Sequence, residues 1–453
     1  MRIISVPAEL YYRERINRER ARPVAEAIFG KMMASLTRPV TDAERSPDPM
    51  HKGTGILTIS ADSMDQAIED FNQLFLDNMW SDGLPLIAPT RERVEWMLTG
   101  TSRKPGEVIG TIAPRNGTAT IEKIAINAVM AGARPEYLPV IIAAVEALAD
   151  PQFDDLHFAT STGSFNLLIS VSGPIAEEIG MNAGLGMFSY GSRANGTIGR
   201  AVRLAVINFG HTWPAMNDMA LIGRPNPFSF ITFAENQAQS PWTPYRESQG
   251  FAGSDSTVTL TVTGGYGGSP TRVYGGGAVA LVPPETILER MARDMTEVRG
   301  GVLAADASSG ILAGNENAVR SNYRRYFVIF NPEVAQELHD RLGYNRETVQ
   351  EYLFEAASIP YEDLSERDID AVKRAVDTGY VPSARAPRIL DGLKPGGTVP
   401  MLSRPDDIHV IVAGGIPGYT MMMSYFRGGI YKPESNITRK ITGAVLTRAG
   451  NDR

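Results

Sequence analysis

The sequence predicts an α/β fold of two domains with mixed or mainly parallel sheets, preceded by an extended N-terminal arm. Three observations carry this expectation. The chain has 453 residues, 43% of them hydrophobic, whereas a single core stops growing at about 250 to 300 residues. Three late stretches, "AVALVPPETILERMARDM", "YFVIFNPEVAQELHDRLG" and "IHVIVAGGIPGYTMMMSYF", each begin as a buried strand followed by a turn, and the first two continue as an amphipathic helix. That succession is the pattern of α/β layers. Finally, composition changes near residue 55 and alternating Val/Thr strands with glycine turns begin near residue 250, which sets the expected boundaries: an arm over 1–55, a first domain over 56–249 and a second over 250–453.

The arm alternates arginine and glutamate (Arg13, Glu14, Arg15, Arg18, Glu19, Arg20) and then becomes rich in Pro, Ser, Asp and Gly through "TRPVTDAERSPDPMHKGTG". A short exposed helix and an extended linker follow from this. The arm is either solvated or wraps a second subunit through Tyr11, Tyr12, Ile28 and Phe29, which would make the protein a homo-oligomer.

In the first domain, "SADSMDQAIEDFNQLFLDNMW" offers Ser60 or Asp62 as a cap and places Met64, Ile68, Phe71, Leu74, Phe75 and Met79 on one helical face. Gly83, Pro85 and Pro89 end that helix, with Trp80 and Asp82 at the junction. Next come a strand over Ile109 to Ala113, a loop over Pro114 to Gly117, and a helix capped by Thr118 or Thr120 and running to Ala131. A loop feeding a helix N-terminus is a way to bind an anion, and Arg115 and Asn116 stand beside it. Lys123 and Asn127 share one helical face with Glu122 alongside, either as a surface stripe or as the proton-moving wall of a cleft.

A buried strand over Leu167 to Val171 precedes a glycine-spaced loop, and "SRANGTIGRAVRL" then sets Arg193, Arg200 and Arg203 into an otherwise apolar helix that Asn195 can cap near Thr197. A charge taken out of water costs several kcal/mol unless it is paired. Arg193, Asn195 and Arg200 are therefore candidates for an acidic ligand, with Arg203 continuing outward to solvent. Glu235 and Asn236, at the end of an apolar run, can instead pair with these arginines. Trp242, held between Pro241 and Pro244, is a lid, a wall or a packing residue.

In the second domain, Asn331 and Pro332 form a cap and first-turn pair. Gly414 and Gly415 end a strand as a backbone cradle for an anion or as a tight turn.

Composition also excludes. The formal charge of -7, with no long basic run, argues against nucleic acid as a partner. The absence of cysteine removes disulfides, Cys-ligated metals and a Cys nucleophile. The histidines lack metal-ligand spacing, and no Walker loop, Rossmann fingerprint or Gly-x-Ser-x-Gly elbow occurs, so neither a metal nor a cofactor is expected. The charged start and the lack of an apolar run of about 18 residues predict a cytoplasmic protein without a membrane partner.

"WSDGLPLIAPT", "TIEKIAINAVMAGARPEYLPVIIAAVEAL", "SRANGTIGRAVRL", "FAENQAQSPW", "NPEVAQELHDRLGYNRETVQEYLFEAA" and "HVIVAGG" resemble a bacterial family of unassigned activity found beside small thiol or selenol proteins with a Sec/Cys-Gly-Ser-Cys (UGSC-type) motif. The resemblance spans residues 75 to about 445. It implies cysteine where this chain has Ala133, a glycine-rich turn where it has Ser189, Tyr190 and Gly191, and glycine at His211. If the family uses that cysteine, this chain has lost the step or passed it to a partner.

The expected function is an enzyme acting on a small anionic metabolite by proton transfer, of lyase or hydrolase type. Its cleft would lie between the domains, with Lys123, Glu122 or Glu235 moving the proton and Arg115, Asn116, Asn127, Arg193, Asn195, Arg200, Trp242, Gly414 and Gly415 binding substrate. The alternative is a non-catalytic or co-catalytic subunit for a thiol- or selenol-bearing partner.

Overall fold

The computed structural model describes residues 18–39, 41, 56–220, 223–224, 226–264, 271–274, 282–297, 324–416, 419–426 and 432–445. The chain divides into two compact units, Met1–Asp62 and Ser63–Arg453. In the first, helix α1 (Arg18–Thr37) carries Phe29, Met32, Met33 and Leu36 at i, i+3, i+4 and i+7, all exposed. The expected anchors Tyr11 and Tyr12 and most of the Pro/Ser-rich stretch lie outside the described residues.

The second unit begins with α2 (Met64–Asp77), capped by Ser63 rather than Ser60 or Asp62. Helix α3 (Arg91–Leu98) leads to a hairpin, β1 (Val108–Ile112) and β2 (Gly117–Thr120), where the sequence suggested one strand and a loop. Thr120 ends β2 and caps α4 (Ile121–Met130) by accepting the Lys123 N–H. Helix α5 (Leu138–Leu148) is apolar almost all round and buried along most of its length, as a helix inside a layered core must be.

After α6 (Asp155–Thr160), strand β3 (Phe165–Ser172) is buried at every position. The short α7 (Pro174–Glu178) leads into the glycine-spaced loop, and α8 (Arg193–Gly210) returns the chain to β4 (Ile231–Ala234). Ser192, not Asn195, caps α8.

The short α9 (Tyr245–Ser248) precedes β5 (Thr257–Gly264) and β6 (Thr271–Tyr274). Helix α10 (Pro284–Glu297) follows the first of the three late units, whose strand lies outside the described residues. The second of these late stretches folds as expected: β7 (Arg324–Phe330) turns at Asn331, which caps α11 (Pro332–Leu342) with Pro332 in the first turn.

Beyond these, α12 (Arg346–Ala356), β8 (Ser358–Pro360), α13 (Glu366–Asp377), α14 (Ala386–Asp391) and β9 (Thr398–Pro400) follow in order. From β8 to just past β9 they enclose a small core around Ile389 and Val372. Strands β10 (Ile408–Val412), β11 (Thr420–Phe426) and β12 (Asn436–Lys440) complete the fold.

Two mixed four-stranded sheets organise these elements, in the orders β12-β5-β3-β4 and β10-β7-β11-β6. Among the described residues, only β3 with β4 and β10 with β7 run parallel within them. The expected division at residue 250 is therefore corrected: β5 and β12, from beyond that point, hydrogen-bond into the sheet of β3 and β4. One apolar cluster, including Leu168, Phe233, Phe327, Ile329, Ile411 and Met423, joins strands of both sheets. Among the described residues, no helix is long and apolar enough to cross a membrane.

Candidate functional site

Among the described residues β10 is an edge strand, and α12 covers that edge with side chains. Gln350 Nε2 donates to the Ile408 carbonyl at 2.6 Å, and Arg346 Nε donates to the Val410 carbonyl at 2.9 Å. These contacts satisfy acceptors that would otherwise template pairing with another chain. They also draw Arg346 inside, where the residue is only 1% exposed.

Beside Arg346 opens a cavity of about 600 Å³, lined among others by Tyr245, Arg325, Arg346, Arg404, His409 and Glu434. His409 Nδ1 lies 2.9 Å from the Tyr245 hydroxyl, and the imidazole stacks on Phe327. Burial, reinforced by Arg325, pushes His409 down to about 3, so the ring is neutral at neutral pH. Burial likewise raises the Tyr245 phenol above its ordinary value and keeps it protonated. The pair can therefore hold or pass a proton without carrying charge.

The arginines differ in how fully they are paired. Arg325 donates to Asp407 at 3.3 Å and to Glu434 at 3.0 Å. Arg346 faces Glu235 at 3.7 Å, and its Nη2 has no hydrogen-bond partner. Glu235 spends its own oxygens elsewhere, accepting from the Ser172 hydroxyl and, at 2.8 Å, from the Tyr245 N–H. Burial raises the Glu235 carboxyl above its ordinary range against these hydrogen bonds. No protein-family model and no curated protein matches this chain.

None of the twelve expected site residues lines this cavity. Glu235 comes nearest in role: it accepts from the Tyr245 N–H and faces Arg346, both lining residues, rather than pairing with the arginines of α8. Asn236 ties the two sheets, donating its N–H to the Val412 carbonyl at 2.8 Å.

The arginines of α8 find other partners. Arg193 is exposed and donates twice to the Gly132 carbonyl, at 3.1 and 3.0 Å. Arg200 forms a two-point ion pair with Asp82, at 2.8 and 2.9 Å, and also donates to the Pro85 carbonyl. Arg203 turns inward instead of continuing to solvent. Asn195 is buried and laces the preceding loop together: its Nδ2 donates to the Asn182 and Met187 carbonyls, while its Oδ1 accepts from Asn182 N and Ser192 Oγ.

Arg115 and Asn116 sit exposed in the β1–β2 turn, where Asn116 takes a left-handed conformation. Glu122 and Lys123 are exposed on α4, but Asn127 on the same helix is buried, donating to the Lys123 carbonyl and accepting from Asn208 at 2.7 Å. Trp242 packs edge-on against Phe330, and its indole donates to the Tyr344 carbonyl at 2.9 Å. The Gly414 N–H donates to the Ala183 carbonyl at 2.8 Å, which takes that donor away from an anion cradle. A side chain on Gly415 would collide with Leu185, so glycine is required there for close packing.

Sequence reasoning missed Arg346, His409 and Tyr245. A lone histidine in the apolar strand "IHVIV" was the available signal.

Proposed function

We propose that the protein is an enzyme acting on a small anionic metabolite by proton transfer, with the cavity beside His409 as its site. The observation that carries this reading is Arg346: a buried guanidinium of the cavity lining whose Nη2, 3.7 Å from the Glu235 carboxylate, has no hydrogen-bond acceptor, next to a neutral Tyr245–His409 pair. A substrate carboxylate would complete the donor set of Arg346. Its negative charge would also offset the field of Arg325, so that His409 becomes a stronger base only once substrate is in place. Glu235 then serves as a positioning residue that holds Arg346. The reaction type remains lyase or hydrolase.

The test uses succinate, malonate and, as a neutral control, dimethyl succinate. The dicarboxylates raise the melting temperature of the wild type, and the effect shrinks in Arg404→Gln and disappears in Arg346→Met. Incubation with the binding acid in D2O then reads proton transfer as deuterium uptake by NMR. Equal responses to the diester and the diacids would overturn the anion site.

A second reading, a co-catalytic subunit for a thiol- or selenol-bearing partner, is favoured by one surface. Leu185 and Tyr190 are 83% and 100% exposed, and Leu185 packs on Gly415 beside the exposed Ile416. The resemblance to UGSC-associated proteins and the lack of cysteine point the same way. Homo-oligomer formation belongs to the proposal as well, supported by the exposed apolar stripe of α1.

A further inference from the structure

Arg203 is 6% exposed and lies with its guanidinium 3.9 Å above the Phe230 ring. Stacking occupies the face of the guanidinium and leaves its in-plane N–H groups to find acceptors. Nη2 reaches two oxygens, Asn166 Oδ1 and the Asn226 carbonyl, both at the long distance of 3.4 Å. Nε reaches none. The amide that meets Arg203 has the same deficit, because Asn166 Nδ2 is buried without an acceptor, and the Ser164 hydroxyl two residues earlier is buried and unpartnered too.

No carboxylate among the described residues stands within ion-pair distance of Arg203. Asp218 is committed to Arg224, with contacts of 2.7 and 2.8 Å. A second cation nearby therefore adds to the cost of burying the first. Burial, with Arg224 contributing, lowers Arg203 to about 9, which still leaves it charged at neutral pH. Asp218 and Asp82 offset part of that cost from a distance, but a buried cation with no counter-charge in contact is still a costly feature for a fold to carry.

We propose that Arg203 and Asn166 bind a small inorganic anion of chloride size, held between the Arg203 Nε–H and the Asn166 Nδ2–H. Both missing contacts are donors, and a neutral acceptor such as water would leave the charge uncompensated. Exposure of only 6% at Arg203, 2% at Asn166 and 5% at Ser164 shuts out a larger metabolite. The site shares no residue with the cavity beside His409.

The test compares chloride with gluconate at constant ionic strength, using the full chain. The wild type is expected to melt several degrees higher in chloride, with a saturable concentration dependence. Crystals grown in bromide should show an anomalous peak beside Arg203 Nε. Asn166→Asp places a tethered negative charge at the same point, so this variant should melt at the same temperature in both salts; Arg203→Met, where it folds, should do likewise. A wild type indifferent to chloride, a bromide-free site, or an Asn166→Asp variant that keeps the full chloride response would each overturn the proposal.

Discussion

The guanidinium of Arg346 stands 3.7 Å from the carboxylate of Glu235, and both side chains are sealed from solvent. Breaking such a pair on one side strands the other charge, which costs about 3–5 kcal/mol. Glu235→Gln should therefore lower stability by about that amount. Chemical denaturation will show it, and the double variant Glu235→Leu with Arg346→Met should recover much of the loss. A Glu235→Gln variant as stable as the wild type would mean that the pair is not energetically coupled.

His409 gives stability a pH dependence of known sign. Its folded value lies near 3, against an ordinary 6.5. The contribution is thus fully present above about pH 6.5 and is lost as pH falls towards 3. The local slope approaches about 1.4 kcal/mol per pH unit for one proton. Because Glu235 titrates in the opposite sense, the readout is the difference between wild type and His409→Asn, which should narrow as pH falls through that window.

Arg200 and Asp82 predict a structural outcome at a position the sequence offered as a ligand site. Arg200→Ala should cost about 3 kcal/mol, since the carboxylate of Asp82 is left nearly buried and unpaired. Dicarboxylate affinity at the cavity, measured by calorimetry on the folded variant, should stay unchanged. A selective loss of affinity would return α8 to the binding site.

Lys123 makes the converse case. Its ammonium is exposed and reaches only the Thr118 carbonyl, at 3.4 Å. Lys123→Ala should shift stability by no more than about 0.5 kcal/mol and leave deuterium uptake by the bound acid intact. A large fall in that rate would restore Lys123 as a proton carrier.

For α1, replacing Phe29 and Leu36 with glutamate should lower the mass of the assembly in light scattering if the stripe joins copies of the chain. Unchanged mass would leave the helix without an oligomeric role.

What the sequence disclosed followed the range of the interactions. Asn331 caps α11 and Pro332 opens it through contacts only three residues apart, so both were readable. The all-apolar run of β3 likewise announced a buried strand. The pairing of β5 with β3 and β12 depends on residues far apart in the chain and leaves no local mark. Arg346 reads as an ordinary polar residue in the first turn of a helix, because the partners that draw it inside, Val410 and Glu235, are distant in sequence. The arginines of α8 stood out in an apolar helix, but their outcomes differ: Arg200 pairs with Asp82, Arg193 stays exposed and Arg203 turns inward. Which partners they find, among them Asp82 and Gly132, is a matter of packing.

The order β12-β5-β3-β4 also has a consequence during synthesis on the ribosome. Strands β3, β4 and β5 emerge well before β12, so a nascent chain holds three strands of a sheet whose β5 margin still has free backbone donors and acceptors. Until β12 arrives, that margin is open to neighbouring chains. Translation halted before Asn436 should therefore yield a product that recruits chaperones or aggregates, even though most of the core is already encoded.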